Sequence, residues 1–267
     1  MAPLVSVVIP AHKAAGSLPA ALASVARSGL PLDQIEVVIA PDDGHGYDDL
    51  PDYGLSIHRC DPHHNATGAG PARNRALARA RGQIIAFLDA DDTWQPGYLA
   101  ALAPLAGHHG AAFGKTRITL QHKTILQLPT VDAGHLSIAD IGHTGASFHP
   151  VAQRALVGPF SNRPAQDILH TIEVLALCGG SCPLAKVSYN LHLSAQSATS
   201  DQNFANRVTA AYDAHIKDIE EGQARVPPAH IPAARAAFRA KAQLNVDYLH
   251  EGQGHYFYQY MARRLSA

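Results

Sequence analysis

An α/β protein with a mostly parallel sheet covered by helices is expected from three features of the chain. Near-continuous apolar runs recur at Leu4–Ile9, Ile35–Ala40 and Ile84–Leu88, as in strands buried on both faces. Amphipathic, alanine-rich stretches of helical length separate them. Two of the runs end abruptly in acid, at Asp42-Asp43 and at Asp89-Ala90-Asp91-Asp92, and open parallel sheets bind ligands at the carboxyl ends of their strands.

In chain order, the first run is closed by Pro10, which suits a central strand ending at a site. Ser17 then reads as a helix N-cap, with Leu18, Leu22 and Val25 on one face and Gly29 as the stop. The second run leads into Asp42, Asp43 and Gly44. Leu55–Cys60 is a weaker strand, and Pro71–Arg81 is a helix with Pro at a tolerated early position and Gly82 as its stop. The run from Ile84 completes a β-α-β-β-α-β order, whose right-handed crossovers bring both acidic strand ends to one edge.

Beyond it, Tyr98–Leu105 is a short apolar helix, and Ala111–Leu120 with Lys123–Leu128 form a strand pair turning at Gln121 and His122. Val151–Leu156 reads as helical, and a further helix in 163–180 buries Ile168, Ile172 and Leu175. From Gln202 the chain is helical and polar, is interrupted by VPPAHIP, and resumes from Pro232 with Phe238, Ala242 and Leu249 along one stripe. This divides it into a main domain over 1–200 and a helical C-terminal extension over 201–267. The closing cluster Tyr256, Phe257, Tyr258, Tyr260 and Met261 is dense enough to require docking, on the main domain by default, otherwise on a second copy or an acceptor.

Composition limits the function classes. A net charge of -1 gives no broad basic field and argues against nucleic acid as the main partner. No run approaches the ~20 apolar residues of a membrane span, and MAPLVSVVIP carries no basic segment of a signal peptide. Three cysteines, Cys60, Cys178 and Cys182, make no disulfide framework and fit buried thiols in a reducing cytoplasm. The 17 histidines, including the pairs His63-His64 and His108-His109, read mostly as solvated loop residues.

The acids carry the chemistry. In an extended chain Asp89 and Asp91 point the same way and can share one divalent cation, or a cation and a ribose hydroxyl. A solvated turn accounts for Asp-Asp-Thr after a strand equally well.

Taken together, VSVVIPAHKAAGSL, EVVIAPDDG, GPARNRALARARGQIIAFLDADDTW, AQDILHTIE and YNLHLSAQS resemble glycosyltransferase family 2 over residues 4–200. That resemblance implies a GT-A fold with a Rossmann-like sheet, and inverting transfer from a nucleotide-diphosphate sugar, most naturally UDP-linked, to a carbohydrate or other hydroxyl acceptor. It places Pro10 and Ala11 against the nucleotide, Asp42 on the base, and Arg73 near base and phosphates. Asp89 would hold ribose or metal, Asp91 would be the principal ligand of Mn2+ or Mg2+, and Asp167 would be the base. His192 would reach the metal or diphosphate once the following serine-bearing loop closes.

Each role has a plainer counterpart. Asp42 can be a turn former, although Asp43 with Gly44 fits that better. Arg73 can be a surface arginine like Arg75, Arg79 and Arg81, and Asp167 can be a helix cap or first-turn acid. A lone histidine is more often structural than a ligand. The sequence departs from the family pattern at Gln166, where Glu is usual, at Asn190, where Arg is usual, and at His12-Lys13. A retaining GT-A transferase and an inactive nucleotide-sugar-binding protein therefore remain as alternatives. A nucleotidyltransferase is disfavoured, because no Gly-rich, basic loop follows the first strand.

Overall fold

The structure is a computed structural model that describes residues 3–131, 133–193, 204–252 and 256–266. Its elements are β1 (Val5–Ala11), α1 (Leu18–Ala26), β2 (Ile35–Pro41), β3 (Ser56–Arg59), α2 (Ala69–Arg79), β4 (Ile84–Phe87), β5 (Thr93–Trp94), α3 (Tyr98–His109), β6 (Ala111–Leu120), β7 (Lys123–Leu128), β8 (His135–Ser137), α4 (Ile138–His143), β9 (Val151–Gln153), α5 (Gln166–Leu177), β10 (Ser181–Leu193), α6 (Phe204–Glu220), α7 (Ile231–Glu251) and α8 (Phe257–Ser266).

One sheet runs in the order β3-β2-β1-β4-β9-β6-β10-β5, with β7 added to β6 and β8 to β10. The first four strands are parallel, Val5 of β1 lying opposite Ile35 of β2 and Ile84 of β4. Every residue of β2 and β4 is buried, which is why these strands read as unbroken apolar runs. Beyond β4 the sheet becomes mixed, because β9 enters antiparallel between β4 and β6. The hairpin β6–β7 turns through Gln121 and His122, both at positive φ as a tight hairpin turn requires.

Several sequence expectations are corrected here. Val151–Leu156 is not helical: Ala, Arg and Leu favour a helix in isolation, but Val151–Gln153 pairs with strands on both sides and only a 3-10 turn follows. The second helix begins at Ala69 and stops at Ala80, two residues before Gly82. Ser17 precedes α1 without a side-chain cap hydrogen bond. Arg75 and Arg81 are not idle surface arginines, since they pair with the buried acids Asp42 and Glu36 at 2.9 and 2.8 Å. His108 and His109 end α3 rather than lying in a loop. Leu249 is 40% exposed and falls outside the stripe that buries Phe238.

The core is layered. On one sheet face β1, β2 and β4 pack against α1 and α3; on the other Val8, Val38 and Phe87 pack against Ala72, Ala76 and Phe160. A third cluster joins β6, β7 and α5 to the C-terminal helices, and Tyr258, Tyr260 and Met261 are buried in it. The aromatic C-terminus thus docks on its own chain. Two glycines allow the close approach: a Cβ on Gly142 would meet the α7 backbone 2.8 Å away at Ala237, and one on Gly145 would meet the Phe257 ring at 2.6 Å. Among the described residues no helix is long and apolar enough to cross a membrane.

Candidate active site

The carboxyl ends of β1, β2 and β4 form the edge on which the acids gather. Pro10 is half-buried and Ala11 buried at the end of β1, and the Ala11 carbonyl accepts the Asp42 N–H at 2.8 Å. Asp42 is 3% exposed and holds the loop before α2, accepting from Thr67 Oγ1, from the Gly68 N–H at 2.8 Å and from Arg75 at 2.9 Å. Burial opposes its charge, but these donors prevail and keep its pKa below the ordinary value. Asp43 forms the turn, accepting from the Lys13 and His45 N–H groups and the Tyr47 hydroxyl.

Beyond β4 the chain does not stay extended. The Asp92 N–H donates to the Asp89 carbonyl at 3.1 Å, so Asp89 to Asp92 form a tight turn in which Asp89 faces Arg73 and Asp92 faces β10. Asp89 turns inward to the guanidinium of Arg73, a residue only 2% exposed that also lies 5.3 Å from the centre of the Phe160 ring. Burial works against the Arg73 charge, but Asp89, and beyond it Asp167, hold its pKa up. Asp89 is likewise desolvated, yet Arg73 and then His149, whose Nε2 lies 3.6 Å from it, keep its pKa down. Asp91 is the acid that reaches solvent, and its pKa is raised by desolvation from the surrounding turn and by repulsion from Asp89.

Asp92 turns into the protein. It accepts the His192 N–H at 2.9 Å and a hydrogen bond from the Tyr189 phenol, while that phenol oxygen accepts the Asp89 N–H at 3.0 Å. This joins β10 to the acidic turn. Burial, then Asp91 and Asp89, push the Asp92 pKa well up.

His192 is not brought to the two aspartates. Its Nε2 lies 2.8 Å from the Thr93 hydroxyl and its Nδ1 2.8 Å from that of Thr119, so both ring nitrogens are engaged in joining β5, β10 and β6. The expected role of His192 at a metal or diphosphate, reached once the following loop closes, is not met in this arrangement of the described residues. The serine-bearing loop after it, from residue 194, lies outside the described residues. Among these, no group of three or more His, Cys, Asp or Glu side chains is arranged to hold a metal ion. What Asp89 and Asp91 offer is a pair of hard oxygen donors whose mutual repulsion a divalent cation would relieve, as diphosphate oxygens completed its shell.

Asp167 is the second residue of α5 and lines a cavity of about 110 Å3 with Lys241, Tyr212 and Tyr258. It is a first-turn acid but not a cap, because its carboxylate accepts no hydrogen bond from the described residues. Gln166 is buried with its Oε1 unpartnered, and Asn190 reaches only Thr93 at 3.3 Å. Lys13 is exposed at positive φ.

Three participants lie outside the sequence reading. His149 came from a stretch without a motif, and Tyr189 was visible only as the first letter of YNLHL. His170, stacked on Phe160 at 4.1 Å, is so desolvated that its pKa falls to about 3.

Known proteins bear on this arrangement. S. aureus TarS (residues 1–349) in complex with UDP-GlcNAc superposes with a TM-score of 0.63 at 19% identity, over 90% of this chain and 72% of that one. The mannosyltransferase PcManGT from Pyrobaculum calidifontis, in complex with GDP-Man and Mn2+, does so at 0.55 and 17%, over 99% and 74%. Both likenesses establish the GT-A fold. In sequence the chain is 35% identical over 81 residues to EpsH of Bacillus subtilis (strain 168), whose name assigns it to the glycosyltransferases. It is 41% identical over 54 residues to TuaG of the same organism, whose name places it in teichuronic acid biosynthesis. These stretches cover 28% and 20% of this chain but only 23% and 21% of the two relatives. The family model described as Glycosyl transferase family 2 matches residues 6–133, just under half of the chain, from β1 through the acidic turn and the β6–β7 hairpin.

Proposed function

We propose that this chain is a metal-dependent, inverting glycosyltransferase that moves a sugar from a nucleotide-diphosphate donor, UDP-linked by preference, to an acceptor hydroxyl. The observation that carries the reading is Asp167, a carboxylate that bonds to none of the described residues, lines a cavity, and acts electrostatically on Arg73 of the Arg73–Asp89 pair. On this reading residues 1–200 form the transferase domain, and 201–267 close the acceptor side. Three free cysteines fit a reducing, cytoplasmic setting.

Pro10 and Ala11 would lie against the nucleotide. Asp42, already committed to Thr67, Gly68 and Arg75, would shape the base pocket through the loop it holds and offer the base its remaining lone pairs. Arg73 fixes Asp89 in one orientation, and Asp91 with Asp89 would hold Mn2+ or Mg2+. When bound, that ion supplies the positive charge that a departing diphosphate requires. Asp167 takes the proton from the acceptor hydroxyl as its oxygen attacks the anomeric carbon from the face opposite the leaving diphosphate, which inverts the centre. A carboxylate that accepts no hydrogen bond from the described residues is available for that proton.

The test is a comparison of Asp167→Ala with the parent in UDP binding and in sugar transfer, with the anomeric configuration of the product determined. UDP binding persists and transfer falls on the order of 100-fold or more. Transfer at the parent rate, or a product of retained configuration, overturns the assignment of the base.

A further inference from the structure

The cavity at Asp167 is closed by residues outside the matched family segment, and their chemistry bears on what it accepts. Its far wall is built from α6, α7 and α8, which bring Tyr212, Lys241, Tyr248, Phe257 and Tyr258 to face Asp167. Two of these side chains define its polarity.

Lys241 is 3% exposed and donates to the Thr144 and Ala146 carbonyls at 2.9 and 3.2 Å. An ammonium has three N–H donors, so one is left for the cavity. Tyr258 is 5% exposed, lines the cavity, and makes no hydrogen bond to the described residues. A hydroxyl that lines a cavity and bonds to none of the described residues is available to a group that arrives from outside. Burial, then the charges of Asp167 and Asp92, hold the pKa of that phenol above its ordinary value.

We propose that Lys241 and Tyr258, supplied by the C-terminal helices, are the acceptor-positioning residues of this enzyme, and that the cavity takes the neutral, hydroxyl-rich ring of a sugar rather than a phosphorylated acceptor. The inference rests on the donor and base assignments proposed above.

Three features select that class. The aromatic walls of Tyr212, Tyr248 and Phe257 suit the apolar C–H face of a pyranose. One N–H, one phenol and one carboxylate suit hydroxyls, which both donate and accept. A phosphate would find one cation, Lys241, with only neutral donors such as Ser147, Asn245, Tyr212 and Tyr258 beside it, and would face the Asp167 carboxylate, whose charge repels it. The volume of about 110 Å3 accommodates roughly one ring, since a single water needs about 10–15 Å3 on this scale.

The experiment is calorimetric titration into the full chain, first with UDP and Mn2+. Methyl β-D-glucoside, methyl β-D-galactoside, methyl α-D-mannoside and methyl N-acetyl-β-D-glucosaminide follow, with glycerol 3-phosphate and glucose 6-phosphate as charged comparisons. At least one methyl hexoside binds, and more tightly than either phosphate. Tyr258→Phe and Lys241→Met each weaken that binding roughly 3- to 10-fold, the worth of one hydrogen bond.

Tyr258→Phe retains the parent's UDP affinity and melting temperature, because the deleted hydroxyl bonds to none of the described residues; this separates positioning from structural damage. The inference is overturned if no methyl hexoside binds, if a phosphate binds more tightly, or if Tyr258→Phe binds hexoside as the parent does. Failure of UDP to bind refutes the donor-site reading instead, and hexosides titrated into the nucleotide-free chain then test the cavity by itself.

Discussion

Removing either partner of the Arg73–Asp89 pair breaks the same contact, yet the two losses are unequal. Arg73 is 2% exposed, and its Nε and Nη1 already lack partners. The Asp89 side chain is 31% exposed, so water can reach it. Asp89→Ala strands a fully buried guanidinium, which on the scale of broken buried pairs costs about 3–5 kcal/mol. Arg73→Met removes the buried charge and its two orphaned donors, and leaves a flexible apolar chain against Phe160. Only a partly hydrated carboxylate then remains, and the cost, discounted for that exposure, is about 1–2 kcal/mol. Urea unfolding of both variants and the double variant measures the difference, and the double variant lies closer to Arg73→Met than to Asp89→Ala. If Asp89→Ala is no more destabilising than Arg73→Met, Arg73 is not the desolvated partner on which the turn depends.

Three other outcomes follow from the same geometry. Burial lowers the Lys241 pKa to about 8, so between about 8 and its ordinary value the unfolded chain binds more protons than the folded one. Stability therefore rises with pH across that window, and unfolding measured against pH loses this rise in Lys241→Met. Gly145→Ala places a methyl group 2.6 Å from the Phe257 ring and 3.1 Å from Met261, so α8 is displaced and becomes the first site of limited proteolysis. Tyr189→Phe strands the buried Asp89 N–H and takes a donor from Asp92, lowering stability by about 1–3 kcal/mol in urea unfolding and weakening UDP binding.

The half of the molecule that carries the acidic turn was legible because it obeys local rules. Strands buried on both faces leave continuous apolar runs, and β1, β2 and β4 fall within two residues of where those runs lie. Acid directly after such a run is a signal that position alone supplies. The rest depends on contacts that sequence spacing does not carry. Strand β9 is short and two of its three residues, Ala152 and Gln153, are at home in a helix, so it is a strand because β4 and β6 flank it. The long strand β10 escaped notice because Pro183 and the irregularity between Ala185 and Ser188 break its alternation. Arg75 and Arg73 stand two apart on one helix, and nothing in their spacing says that both are spent on acids from different strands. His192 drew attention by its place in a motif, whereas its two threonine partners lie 99 and 73 residues away in sequence. Lys241 and Tyr258 show no motif at all, and their relation to Asp167 exists only in the folded chain.

The central claim is the donor site at the acidic turn, and calorimetric titration of UDP and of GDP into the tag-free protein, with and without Mn2+, tests it most directly. UDP binds more tightly than GDP, binding requires the metal, and Asp91→Ala abolishes it while leaving the protein folded. Metal-independent binding that survives Asp91→Ala, or no binding of either nucleotide to folded protein with Mn2+ present, contradicts the account.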